Sequence, residues 1–254
     1  MEHGLLEHVM VRVEDLEESV AWYRDHFEYV EYSRGGGDDF TIVKLAPENK
    51  HEQGAQLELT LNHDGRTYDM GDAWGHIAVR VDDVHDAYDE LMDAGVEDYR
   101  DPDSCGGSYA FVKDPQGHEV EIVERDYGAP WSIDHTMIRV GNADETLGWY
   151  TRKFEYEHRS RWEADTFANF FMQTPGAPKE AMALELTYNY DGRTYEMGDA
   201  WGHLAVVCHD LNDFWDTLME REAEDYRDPK SCGNRYAFTK DQDGHELEII
   251  ERSP

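Results

Sequence analysis

The sequence predicts an α+β protein of two tandem domains, 1–127 and 128–254, each made of two βαβββ modules with curved mixed sheets. Two observations carry this: a long repeat at one fixed offset, and a shorter strand–helix–strand–strand–strand pattern inside each repeat. Segment 63–79 reads HDGRTYDMGDAWGHIAV and segment 190–206 reads YDGRTYEMGDAWGHLAV, so His76 and His203 stand 127 residues apart. The same offset relates His8 to His135, Glu58 to Glu185 and Glu121 to Glu248. An unchanging offset leaves no net insertion or deletion between these landmarks, which marks a tandem duplication.

Within the first half, LLEHVMVRV (5–13) and WGHIAVRV (74–81) alternate as strands do. A helical segment follows each. Residues 15–27 carry Leu16, Val20 and Tyr23 at helical spacing, and 84–94 carry Ala87, Leu91 and Met92. Asp15 and Asp83 stand where N-caps belong. Further strands are expected at 28–33, 39–46 and 54–62, then at about 108–113 and 119–125. The order recurs in the second half, giving four modules. Asp126–Ser132, with its Gly-Ala-Pro turn signal, is the expected linker. It is short, so the halves should pack together.

Composition narrows the setting. No stretch approaches the roughly 18 apolar residues of a membrane span, and the N-terminus Met-Glu-His-Gly-Leu-Leu lacks the features of a secretory signal. A cytoplasmic protein with no membrane partner is expected. Fifty-seven Asp and Glu face twenty-three Lys and Arg, a formal net charge of -34 spread along the whole chain. Phosphate contacts need Lys and Arg, so nucleic acid is excluded as a partner. At molar salt the screening length shrinks to about 3 Å, and such a surface suits a halophile's salt-filled cytoplasm. Cys105, Cys208 and Cys232 form no CxxC pair, and reduced thiols in glycine-containing loops are expected for all three.

Strand alternation also sorts the polar residues. Leu57, Leu59 and Leu61 share one face of their strand, leaving Glu58 and Asn62 on the other. Val9, Val11 and Val13 oppose His8, Met10 and Arg12. His76 shares a face with Ala78, and Glu119 and Glu121 oppose Val120 and Ile122. Four strands thus each place a ligand-type side chain off the aliphatic face. A single His or Glu there would ordinarily just meet solvent. Two His and two Glu, repeated as a set, point to a metal centre. Nitrogen and carboxylate donors without thiolate suit nickel, cobalt, manganese, iron or zinc, and four donors leave open positions, as a catalytic site needs.

LLEHVMVRVEDLEESVAWYRDHF, QLELTLN, GHIAVRVDD and DPQGHEVEIVE resemble glyoxalase I of the vicinal oxygen chelate superfamily, as do DHTMIRVGNADETLGWYTRKF, LELTYN, GHLAV and DQDGHELEIIE in the second half. The resemblance covers nearly the whole chain. It implies metal ligands His8, Glu58, His76 and Glu121, with His135, Glu185, His203 and Glu248 as their repeats. A crossed arrangement would combine His8 and Glu58 with His203 and Glu248, and His135 and Glu185 with His76 and Glu121. Sequence alone leaves self-contained halves equally open. The fused chain could then act as a monomer.

The implied reaction isomerises the hemithioacetal of methylglyoxal and a thiol to a lactoyl thioester. Glu121 and Glu248 would be the proton-transfer residues, with Glu58 and Glu185 as ligands and partners in that transfer. Arg12 and Asn62, with Arg139 and Asn189, match residues that hold the γ-glutamyl carboxylate of glutathione. Each lies about 13 Å along its strand from a ligand, at about 3.3 Å per residue. Two departures matter. The loop DPDSCGGSYAF lacks the family's usual base, while DPKSCGNRYAF holds Lys230 and Arg235, so γ-glutamylcysteine would suit the first loop better than glutathione. The long insertions of zinc-dependent members are missing, which favours nickel or cobalt, with zinc or manganese as alternatives. Among rivals, methylmalonyl-CoA epimerase typically has Gln at the second ligand, and this chain has Glu58 and Glu185. Extradiol dioxygenases need only two His and one carboxylate, and metal-free binding relatives lack the ligand set.

The charge yields a prediction of its own. Raising KCl from about 0.1 M to about 2 M should lift the thermal midpoint by at least about 5 °C. A midpoint that stays level or falls, followed by circular dichroism, would refute screening of surface acids as a source of stability.

Overall fold

The computed structural model describes residues 4–48 and 55–252. Residues 1–3, the start of the expected strand at residue 54, and residues 253–254 lie outside the described residues. The first module runs β1 (Leu6–Arg12), α1 (Leu16–Phe27), β2 (Tyr29–Gly36), β3 (Phe40–Pro47) and β4 (Gln56–Asn62). The second runs β5 (Trp74–Val81), α2 (Val84–Asp93), β6 (Asp98–Arg100), β7 (Tyr109–Lys113) and β8 (Glu119–Glu124). In the second half come β9 (Ile133–Arg139), α3 (Ala143–Phe154), β10 (Glu157–Glu163), β11 (Phe167–Gln173) and β12 (Ala183–Asn189). The chain closes with β13 (Trp201–Cys208), α4 (Leu211–Glu220), β14 (Tyr236–Lys240) and β15 (Glu246–Glu251). Among the described residues no helix is long and apolar enough to cross a membrane.

Local chemistry explains the helices. The Asp15 carboxylate accepts from the Glu18 N–H, and Asp83 accepts from those of His85 and Asp86, as the sequence predicts. Asn142 and Asp210 cap α3 and α4 in the same way. Glu17 and Glu18 stand in the first turn of α1 and Arg24 and His26 in its last, matching the helix dipole.

Two sequence expectations need correction. The second strand of the fourth module is reduced to one bridge, Arg227 to Phe238, where its counterpart β6 spans three residues. Both lie just before an Asp-Pro pair, which leaves little room for a ladder. Cys208 is not in a glycine-containing loop. It ends β13, is buried, and donates its S–H to the Ile250 carbonyl.

Each sheet mixes the halves. The seven-stranded sheet runs β14-β15-β13-β1-β4-β3-β2, and the eight-stranded one β10-β11-β12-β9-β5-β8-β7-β6. Their central pairs, β1 with β13 and β5 with β9, are antiparallel and join one half to the other. On either side lie parallel pairs, β1 with β4 and β13 with β15, then β9 with β12 and β5 with β8. Val9, Val11, Leu57 and Leu59 are wholly or almost wholly buried, as alternation requires. The opposite face is buried as well, His8 being only 1% exposed.

The repeated MGDAWG segments lock the halves together. Asp72 and Ala73 N–H groups donate to the Glu196 carbonyl, and those of Asp199 and Ala200 donate to Asp69. Trp74 and Trp201 stack in parallel, 5.4 Å between ring centres. Beside them, Tyr23 donates to Asp114, which also holds His118, while the other imidazole nitrogen of His118 lies 3.5 Å from the Ala200 carbonyl. Tyr150, Asp241, His245 and Ala73 repeat this network. Gly71 and Gly198 sit at φ +61° and +64°, and a Cβ on either would lie 2.4 Å from a carbonyl oxygen of the other half. Only glycine fits there.

Gly71→Ala should therefore cost about 2–4 kcal/mol of stability, combining left-handed strain with a backbone collision. Gly35→Ala, with nothing within 4 Å of the added carbon, should change it by less than about 0.5 kcal/mol. Chemical denaturation compares the two; equal effects would refute the close approach.

Candidate metal centres

The crossed sheets gather the predicted ligands in two groups. In the eight-stranded sheet, β5, β8, β9 and β12 carry His76, Glu121, His135 and Glu185. One ligand atom from each lies within 4.8 Å of all the others, and all four residues are buried. Glu121 Oε2 is 3.0 Å from Nε2 of both histidines, and Glu185 Oε2 is 2.8 Å from His135 and 3.6 Å from His76. The two Nε2 atoms are 3.3 Å apart.

In the seven-stranded sheet the set is His8, Glu58, His203 and Glu248. Here His8, His203 and Glu248 form the tight group. Their Nε2 atoms are 3.1 Å apart and lie 3.4 and 3.3 Å from Glu248 Oε2. Glu58 comes within 3.5 Å of His8 but stands outside that group. Its oxygen also lies 3.6 Å from the Lys44 ammonium. All eight predicted ligands thus fall at two centres, each drawing two from each half.

Behind the predicted ligands stand residues that the sequence did not single out. Glu7 accepts from His8 Nδ1 at 2.5 Å, and Asp134 from His135 Nδ1 at 2.8 Å. A carboxylate on Nδ1 fixes the tautomer and turns the Nε2 lone pair to the centre. Asp134 is held by Arg80, Arg125 and Tyr127, and Glu7 by Arg252. The sequence signal was an acid directly before each of these histidines. Simple alternation hides it by sending neighbours to opposite faces. Pairing shifts register between Leu6 and His8, and again opposite Asp134, and such bulges re-aim side chains.

Three of the four predicted ligand histidines meet a phenylalanine edge-on: Phe111 at His76, Phe171 at His135 and Phe238 at His203. These phenylalanines sit across the strand from Glu121, Glu185 and Glu248. Across from Glu58 is Lys44.

The electrostatics follow from burial. Desolvation alone would lower the His8 pKa, but the Glu58, Glu248 and Glu7 carboxylates outweigh it and lift it to about 9. His76 and His135 are raised against burial by their own carboxylate neighbours. Burial pushes Glu121, Glu185 and Glu248 up, yet the imidazoles hold all three below the usual range. Buried carboxylates converging on paired imidazole nitrogens need positive charge between them. The donor set of two nitrogens and two oxygens fits a divalent transition ion.

Residues 5–122 and 132–249 each match the Glyoxalase/Bleomycin resistance protein/Dioxygenase superfamily. The chain belongs to this superfamily. Over 218 residues it is 29% identical to a lactoylglutathione lyase of Arabidopsis thaliana, covering 80% of this chain and 74% of that protein. It is 35% identical over 133 residues to a probable lactoylglutathione lyase of Vibrio cholerae, covering 48% of this chain and 91% of the relative. It spans 59% of the length of a probable chloroplastic lactoylglutathione lyase of Arabidopsis thaliana. The crystal structure of glyoxalase I from Zea mays shares the fold, with a TM-score of 0.85, 23% identity and coverage of 97% of this chain and 92% of that one.

Other superfamily positions singled out in the sequence are also placed. Arg12 Nη1 donates to the Asp199 and Trp201 carbonyls, and Arg139 Nη1 to those of Asp72 and Trp74. Asn62 and Asn189 donate to the Tyr68 and Tyr195 hydroxyls. Arg139 lines a cavity of about 290 Å³ together with Lys113, Glu119, Arg193 and the stacked Trp74 and Trp201.

Protons and a metal ion compete for the same imidazole lone pairs. Since the free centre keeps His8 protonated up to about pH 9, apparent metal affinity should rise with pH between about 6 and 9 and fall on acidification. Zinc titrations at stepped pH, run in buffers of different ionisation enthalpy, should show proton release. Uptake independent of pH would refute this.

Proposed function

We propose that the chain isomerises the hemithioacetal of methylglyoxal and a small thiol to the S-lactoyl thioester, detoxifying methylglyoxal. The buried His76–Glu121–His135–Glu185 cluster carries this reading, and the lactoylglutathione lyase relatives support it. A divalent ion held by these four residues would act as a Lewis acid on the two neighbouring substrate oxygens. Nickel or cobalt is favoured, with zinc or manganese as alternatives.

The protein's own groups move the proton. Glu121 takes the proton from the carbon that bears sulfur and returns it to the adjacent carbon, while the hydroxyl proton passes from one substrate oxygen to the other. Nothing else is gained or lost, so the step is an isomerisation. Glu185 would help hold the ion, and its Oε1 lies 3.4 Å from the Thr187 hydroxyl. Glu248 and Glu58 take the corresponding parts in the other centre. The phenylalanine edges beside the imidazoles help keep bulk water from the reacting carbons.

The thiol's γ-glutamyl carboxylate is assigned to Arg139 with Asn189 at one centre, and to Arg12 with Asn62 at the other. Lys113, Arg139 and Arg193 give the 290 Å³ cavity three cations against the acids Asp72 and Glu119, which suits an anionic arm. The loop beside β7 lacks a base, while Lys230 and Arg235 precede β14, so γ-glutamylcysteine fits the eight-stranded sheet's centre better than glutathione. Both centres are complete within one chain, which supports action as a monomer, and the acidic surface supports a salt-rich cytoplasm as its setting.

The test is thioester formation from methylglyoxal with glutathione or γ-glutamylcysteine, in molar KCl, after reconstitution with nickel, cobalt or zinc. The double variant Glu121→Gln with Glu248→Gln should lose at least about 100-fold in kcat, with metal content measured alongside. A folded, metal-loaded protein that turns over no thiol adduct would end this reading.

A further inference from the structure

The two centres repeat each other in ligands, strands and register, yet one cross-strand position differs in kind. Lys44 and Phe171 are repeats, 127 residues apart, and pair with the ligand carboxylates Glu58 and Glu185 respectively. At the eight-stranded sheet Phe171 lays its edge on His135, 5.3 Å between ring centres. At the seven-stranded sheet the Lys44 ammonium lies 3.6 Å from Glu58 Oε2, 3.4 Å from Glu7 Oε2 and 3.2 Å from His8 Nδ1.

We propose that Lys44 makes the two centres unequal: its ammonium occupies Glu58 as an internal cation, so the His8–Glu58–His203–Glu248 centre binds a divalent ion more weakly and fills second. This rests on the metal reading above. Three observations carry it. First, only at this centre does a ligand carboxylate fall outside the tight group of donors. Second, among the described residues no lysine or arginine lies within 4.0 Å of Glu121 or Glu185, whose ion pairs are to His76 and His135 alone. The cations near that other centre, Arg80 and Arg125, are directed at Asp134 behind it. Third, Glu58 is buried and Lys44 is partly open to water, with 22% of its side chain exposed, so the lysine is the partner that can leave.

An arriving divalent ion meets a like charge at ion-pair distance, 3.6 Å, from its own ligand. It must displace the ammonium from Glu58 or accept the repulsion, and at short range either opposes binding strongly. The Phe171 centre has its four donors already converged and, among the described residues, no lysine or arginine to remove. Lys44 thereby acts as a positioning residue that sets the order of metal loading.

The experiment is a titration of chelator-stripped full-length protein with cobalt(II) in molar KCl, read by visible absorption and isothermal titration calorimetry. Wild type should take two ions in two steps separated by at least about tenfold in affinity. Glu185→Gln should remove the tight step and Glu58→Gln the weak one. Lys44→Phe and Lys44→Met should both tighten the weak step, and Phe171→Lys should weaken the tight one. Melting curves confirm folding of each variant. Two equal steps in wild type, or unequal steps that survive both Lys44 substitutions, overturn the proposal while leaving the metal reading in place. Failure of folded wild type to bind any ion overturns the metal reading itself.

Discussion

The antiparallel pairing of β1 with β13 and of β5 with β9 is the constraint on which the rest of the structure depends. Each pair joins a first module from one half to a second module from the other. Because β4 and β15 flank one pair, and β12 and β8 the other, the four strands that carry each centre's His and Glu residues lie side by side. Neither half could assemble this arrangement alone. The covalent linker at 126–132 keeps the halves at high effective concentration, and the interlocked MGDAWG segments set their register.

That pairing also explains why so much polar chemistry is buried. At the centre of each mixed sheet the polar face is buried too, with His8, His76, His135 and His203 at most 7% exposed. Carboxylates there must be paired, since an isolated buried charge is costly. The imidazoles answer Glu121, Glu185 and Glu248, and a further layer answers the imidazoles: Asp134 with Arg80 and Arg125, Glu7 with Arg252. Acidity therefore plays two separate parts. On the surface it is a diffuse charge that salt can screen; at the centres it is a small, ordered set that is largely buried.

Much of this is legible in the residues themselves. The fixed offset announces the duplication, and apolar alternation places Val9, Val11, Leu57 and Leu59 in the core. Asp15 and Asp83 mark helix starts because capping is a contact over two or three residues. Other features escape for equally physical reasons. Glu7 and Asp134 reach their histidines only because the ladder slips beside them. The second strand of the fourth module shrinks to one bridge where an Asp-Pro pair follows. Cys208 resembles a loop thiol by composition, but it continues a strand whose neighbours bury it. The difference between Lys44 and Phe171 is plain in the sequence, yet its meaning depends on which carboxylate lies across the strand.

By itself the sequence determined the modules, the two repeated sets of His and Glu, and the faces from which they project, because those follow from periods of two and 3.6 residues. Only the tertiary structure decided which sets share a centre. Self-contained and crossed halves satisfy the same local pattern, with the same apolar faces and the same caps. They differ in hydrogen bonds between strands more than fifty residues apart, such as β5 with β9 and β1 with β13. Those bonds are made by backbone groups that every residue carries, so no residue type announces them.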